Sequence, residues 1–304
     1  MQTNGQRRKV AVEGEKVDNP NRNDIKILGL TAGLGKRLTW PDDYFTLQQE
    51  LTYQNFNINN WNSFVFQNGR SNNVFYRARL SRNSLDQLIY PTMGSEMSFS
   101  LQATLPYSAF NNTDYTDPEL SDEDRYRWVE YHKWKFTSSW FSKIVGKLVL
   151  NTKVGFGYLG QYNRDVGPAP FERFYLGGSG LTGFNLDGRE IIALRGYDDQ
   201  SVSPQTGGTI ISKYTMELRY PLSLNPNATI YTLGFLEAGN TWNNFRNFNP
   251  FQVNRSAGVG VRLFLPMFGL LGLDWGYRFD DISRAPNMQR SQVHFTIGMN
   301  LGEL

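Results

Sequence analysis

From Ile25 onward the chain alternates apolar and polar residues with a period of two. Successive side chains of a strand point to opposite faces, so this alternation marks a sheet with one apolar and one polar face. Leu28, Leu30, Ala32 and Leu34 alternate with Gly29, Thr31, Gly33 and Gly35. Phe45, Leu47, Leu51 and Tyr53 alternate with Thr46, Gln48, Glu50 and Thr52, and Val74, Tyr76, Ala78 and Leu80 oppose Arg77 and Arg79. The pattern continues through Met97–Leu105, His132–Trp140 and Leu148–Tyr158. It resumes through Ile210–Tyr220, Ile230–Ala238, Ala257–Leu265, Leu271–Phe279 and Val293–Leu301. These make about eleven strands, most near the ~9–11 residues that cross a bilayer at a tilt. In one of them, Ile230–Ala238, the polar face carries Leu233 and Phe235 beside Glu237.

A β-sandwich would produce the same alternation. The connections separate the two architectures. Thr39–Asp43, Ser142–Lys147, Pro221–Asn227 and Pro266–Gly269 are short, and Ser84–Met93 is intermediate. Between them stand the long Asn59–Asn73, Pro106–Glu130, Leu159–Gly208, Asn240–Asn254 and Asp280–Arg290. Alternating short turns and long loops belong to an outer-membrane barrel, with the long loops outside. The expected fold is therefore an all-β, transmembrane antiparallel β-barrel. On that parity, Ile25–Leu38 runs inward, and so does Gln292–Leu301, which ends in the periplasm. Bacterial single-chain barrels have even strand numbers. An odd number of strands is then expected ahead of Met1, with residues 1–24 the remnant of an extracellular loop and 25–304 the C-terminal part of the barrel.

Composition agrees with a polar lumen and aromatic girdles: hydrophobic residues make up only 39%, but aromatics reach 14%. The net charge of +3 indicates no nucleic-acid footprint. No run of 18 apolar residues offers a transmembrane helix. With no cysteine, disulfides and thiolate metal sites are excluded. The polar N-terminus has no apolar core of a signal peptide.

The connection 159–208 is too long for an ordinary loop. Its segment Phe171–Pro204 is too rich in Phe, Tyr, Leu and Ile for disorder. A barrel lumen would give it a place to pack. Gly177, Gly178, Gly180, Gly183, Gly188 and Gly196 either let its backbone turn tightly and approach the wall or simply loosen it. No Lys-Ser/Thr follows them, so they form no phosphate loop. Asp198-Asp199 reads as a turn or solvated surface, and Asp122-Glu123-Asp124 as a solvated extracellular loop. His132 and His294 lie on different strands, and no metal or nucleophile constellation surrounds either. No enzyme, metal or cofactor is expected.

The Gly177-Gly178 pair followed by Leu194-Arg195-Gly196-Tyr197 resembles the sixth extracellular loop of the BamA superfamily, whose signature is Val-Arg-Gly-Phe/Tyr. Gly208–Tyr220 is similar to that family's next strand, and Gly234-Phe235-Leu236-Glu237-Ala238-Gly239 to its Gly-Phe-x-Asp-x-Gly motif. Ser256–Leu265, Gly269–Tyr277, Val293–Leu301 and the turn Tyr90-Pro91-Thr92-Met93-Gly94 match in order. The resemblance implies a sixteen-stranded barrel behind periplasmic POTRA repeats, which folds and inserts other outer-membrane proteins. Partners implied are unfolded outer-membrane proteins, accessory assembly lipoproteins, periplasmic chaperones and the lipid bilayer. It implies that the loop folds into the lumen and that Arg195 meets Glu237, with Asp274 a second candidate. It also implies a terminal-strand seam through Phe295, Ile297, Gly298, Met299 and Leu301, where client strands pair with an exposed edge. On the residues alone, Arg195 reads first as a solvated loop arginine with no fixed partner. A two-partner secretion transporter and a passive porin-like or surface barrel stay open as alternatives.

Overall fold

The alternating segments pair, neighbour to neighbour, into one antiparallel sheet. The structure is a computed structural model that describes residues 24–60, 67–180, 189–282 and 289–298. In chain order its strands are β1 (Asp24–Arg37), β2 (Phe45–Asn59), β3 (Gly69–Asn83), β4 (Gly94–Thr104), β5 (His132–Val145), β6 (Leu148–Gly160), β7 (Phe174–Leu176), β8 (Glu190–Ile192), β9 (Ile210–Asn225), β10 (Ala228–Trp242), β11 (Asn254–Leu265), β12 (Gly269–Arg278) and β13 (Ser291–Ile297). Eleven of them form the sheet, and β6 pairs with β9 across the long connection. β1 and β13 are its two ends and do not pair with each other among the described residues.

The two faces have opposite character. Met216, Leu218 and Tyr220 on β9, Val259 and Val261 on β11, Leu273 and Trp275 on β12, and Val293, Phe295 and Ile297 on β13 are exposed. The residues between them are covered: Glu217, Glu237, Asp274 and His294 are all buried. Apolar surface costs about 25 cal/mol per Å² in water. A face this apolar belongs against hydrocarbon, and the polar face lines an interior.

That interior is filled by the described parts of the connection 159–208, which touch the same face of strands from β2 to β13. Phe171 stacks on Phe56 of β2 with ring centroids 4.3 Å apart. Glu172 reaches Lys133 of β5, Arg195 reaches Glu237 of β10, and Gly196 reaches His294 of β13. A sheet whose β2 and β13 both touch one loop is curled around it. The largest buried cluster joins Phe56, Ile58, Leu159 and Ile211 of the wall to Phe171, Phe174, Leu176, Ile192, Leu194 and Tyr197 of the loop.

A second cluster accounts for the irregular face of β10. Tyr231, Leu233 and Phe235 point inward and pack with Tyr90, Phe141 and Val149 toward the short-turn end. The Tyr90 hydroxyl donates to the carbonyls of Lys147 and Arg219, 3.1 Å each, and so fixes its turn to the wall.

The long strands and their order are as the alternation predicts, but their ends extend further. The connection Asn59–Asn73 shrinks to residues 60–68, because Asn57 pairs with Arg70 and Ile58 with Gly69 beyond the apolar band. Asp122-Glu123-Asp124 opens a short helix, α1 (Asp122–Arg125), capped by Ser121, and Glu123 accepts from the Arg70 amide at 3.1 Å. The long connection is not structureless: β7 and β8 pair in parallel within it. The predicted loop remnant 1–24 lies outside the described residues except for Asp24, which begins β1. Gly183, Gly188, Met299 and Leu301 also lie outside them.

Candidate functional site

A tight turn presents Arg195. The Tyr197 amide donates to the Leu194 carbonyl, the Leu194 amide to the Gly178 carbonyl and the Gly178 amide to the Tyr197 carbonyl. Gly177, Gly178 and Gly180 all have positive φ, the region that favours glycine. The turn thus rests on the paired glycines and projects the arginine at the wall.

Arg195 meets three carboxylates on three strands. Its Nη2 lies 2.7 Å from Glu217 Oε1 of β9 and 2.9 Å from Glu237 Oε1 of β10. Nη1 lies 3.5 Å from Asp274 Oδ1 of β12. The backbone N–H of Arg195 donates to Glu237 Oε2 at 2.8 Å, so Glu237 holds both the side chain and the main chain. The guanidinium also stacks over the Phe235 ring, 3.7 Å from its centroid. Burial disfavours the charge of Arg195, but Glu237, Glu217 and Asp274 outweigh it and hold the guanidinium protonated above its ordinary range.

Each carboxylate has a second cation. Arg219 Nε donates to Glu217 Oε2 at 2.9 Å, Lys213 lies 3.6 Å from Glu237, and Arg262 grips Asp274 through two bonds of 2.8 Å. Arg195 is therefore the shared member of three pairs. Removing one partner of a buried, paired charge typically costs about 3–5 kcal/mol, since the remaining charges stay desolvated.

The next residue fits only as glycine. Gly196 has φ +89 and lies against Gly276 of β12, where an added Cβ would sit 2.6 Å from the Gly196 nitrogen. The Gly196 N–H donates to Nε2 of His294 on β13 at 2.8 Å, and the Tyr197 hydroxyl donates to the Arg255 carbonyl at 2.8 Å. Gln292 of β13 donates to Asp198 at 2.7 Å. Asp198 and Asp199 are exposed. Among the described residues no group of three His, Asp or Glu is placed to hold a metal.

A domain model of the Omp85 superfamily matches residues 3–300. The chain belongs to the Omp85 superfamily. It is a transmembrane antiparallel β-barrel protein of the bacterial outer membrane, in a superfamily of insertases and transporters. This Omp85 chain is similar in structure to BamA from Haemophilus ducreyi lacking POTRA domains 1–3, with a TM-score of 0.59 and 18% identity over 90% of this chain and 53% of that one. It is also similar to CdiB from Escherichia coli, with a TM-score of 0.55 and 12% identity over 90% of this chain and 45% of that one. At such identities the likeness is one of fold. The chain spans about half the length of these solved relatives. No curated protein matches it in sequence.

Of the residues singled out from sequence, the Omp85 fold brings Arg195, Gly196, Glu237 and Asp274 together. Phe295 and Ile297 face outward on β13, and Gly298 donates to the Leu270 carbonyl at 2.7 Å. Sequence reasoning passed over Glu217 and His294. Both sit on the polar face of a regular strand, where nothing distinguishes a clamp residue from any other lumen-facing polar group.

Proposed function

We propose that this chain is the C-terminal barrel portion of a factor that folds and inserts other outer-membrane β-barrel proteins, with residues 159–208 as its lumenal plug. Client strands pair with the edge of β13 by backbone hydrogen bonding, the energy of insertion coming from strand pairing and burial in lipid rather than from a nucleotide. Unfolded outer-membrane proteins delivered by periplasmic chaperones are the clients, and accessory lipoproteins the partners.

The observation that carries this reading is the bond from Gly196 to His294. It ties the plug motif to β13, the last described strand, and so supports a link between the plug and the proposed seam. Among the described residues the far edge of β13 has no strand partner, and Val293, Phe295 and Ile297 present an apolar face beside it. A passive channel has no use for a plug clamped to β13.

The test is site-specific photocrosslinking from position Phe295 in the native full-length protein during synthesis of a barrel client. Crosslinks to the client's terminal strands support the reading. Crosslinks to lipid alone, with an extended polypeptide instead captured from position Arg77 in the lumen, would support a secretion transporter.

A further inference from the structure

The clamp at Arg195 holds only one end of the plug. At the other end, a group of four charged residues plays no part in it. Glu172 and Glu190 lie on the plug, and Lys133 and Lys135 lie two residues apart on the inner face of β5. Lys133 Nζ is 3.0 Å from Glu172 Oε2 and 2.7 Å from Glu190 Oε2, and Lys135 Nζ is 2.7 Å from Glu190 Oε1. Lys133 is only 3% exposed, and its ammonium also lies 4.7 Å from the centroid of the Phe174 ring.

The plug is built to deliver these carboxylates. Parallel pairing of β7 with β8 sets Phe174 opposite Glu190, and the Glu190 amide donates to the Arg173 carbonyl at 3.1 Å. This brings Glu190 beside Glu172, which stands just ahead of β7. Glu172 itself has φ +66, a left-handed conformation that a residue with a Cβ adopts at a cost. Phe174 packs against Gly157 of β6, where an added Cβ would sit 2.6 Å from its ring. Strained backbone, a paired ladder and a bare patch of wall all serve to seat two carboxylates on two lysines.

We propose that Lys133 and Lys135 with Glu172 and Glu190 form a second anchor of the plug, on β5, separated from the nearest clamp strand β9 by β6, and releasable independently of the Arg195 clamp. The plug is then a strap fixed at two ends, to β5 at one and to β9, β10 and β12 at the other. Freeing the β5 end lets the segment ahead of β7 move off the wall, while β7 and the paired glycines keep the Arg195 motif on its strands. This opens the charged cavity of about 150 Å³ that Arg77, Arg79, Lys133 and Lys135 line with the two glutamates. The inference goes beyond insertion or transport and holds for either.

These 304 residues hold no cysteine, so in a full-length background cleared of any other cysteine a single cysteine reports locally. Ala169→Cys reports the β5 end of the plug and Ala193→Cys the Arg195 end, each introduced in the full-length protein in membranes. In Glu172→Gln/Glu190→Gln, thiol labelling at 169 is expected to accelerate about tenfold, as for a local unit whose opening has become easier, with 193 unchanged. Lys135→Gln, at a side chain about one-third solvated, is expected to produce the same ordering with a smaller effect, and it decides the matter if the double variant does not assemble. Unchanged labelling at 169, or equal acceleration at 169 and 193, would overturn the second anchor.

Discussion

The backbone N–H of Gly196 donates to His294 Nε2 across 2.8 Å, joining the centre of the plug motif to the last described strand. His294 is buried, so the bond it accepts is not exchanged for one to water. His294→Ala leaves a buried amide without an acceptor, a loss of about 1–3 kcal/mol. His294→Gln retains an acceptor and should recover part of it. The check is the temperature at which the folded, fast-migrating form on a cold gel converts to the unfolded form. Equal values for the two variants would remove the bond from the account.

Arg195 serves Glu217, Glu237 and Asp274 at once through two separate nitrogens of a planar guanidinium, a spread that a compact ammonium does not match. Arg195→Lys should therefore fall closer to Arg195→Ala than to wild type, with a loss of about 3–5 kcal/mol for the alanine variant. The residues act as one network, so Arg195→Ala and Glu217→Ala should be strongly non-additive in a double-mutant cycle. Additive losses would mean that Glu217 is held by Arg219 alone.

Gly276→Ala places a methyl carbon 2.6 Å from the Gly196 nitrogen, where backbone has to move. Overpacking of this kind costs about 1–3 kcal/mol. Its effect should concentrate on the plug: proteolysis near Tyr197 should rise while the strand ladder, followed by infrared amide bands, stays intact. Protection equal to wild type would place the motif elsewhere.

The period of two made the sheet legible, because one face meets lipid and the other a polar lumen, and no competing helical period arises. It also exposed the anomaly at Leu233 and Phe235, which the inward cluster with Tyr90 and Phe141 resolves. β7 and β8 stayed hidden because three residues carry no period. The far ends of β2 and β3 stayed hidden because Asn57 and Arg70 continue the ladder without apolar residues. Arg195 was visible only through its motif. Glu217, His294, Lys133 and Lys135 look like ordinary lumen-facing polar residues until the plug is placed against them.

Acid should release the β5 end of the plug late. Burial pushes the Glu190 carboxyl up, but Lys133 and Lys135 outweigh it and hold it down at about 2, against an ordinary 4.5. Glu172, Arg77 and Arg79 share its cavity. A carboxylate depressed on folding contributes stability that is complete above its unfolded value and lost as pH falls through its folded one. The difference in melting temperature between wild type and Glu190→Gln should thus be constant from neutral pH to about 4.5 and shrink between there and about 2. A difference that disappears well above that window would contradict the pairing.

The most direct measurement is the assembly rate of an unfolded outer-membrane barrel client in proteoliposomes holding the native full-length protein, followed by the client's heat-modifiable mobility. The account predicts faster assembly than in empty liposomes, and loss of most of that acceleration in Arg195→Ala at equal barrel content. No acceleration by the wild-type protein, or full acceleration with Arg195→Ala, would contradict it.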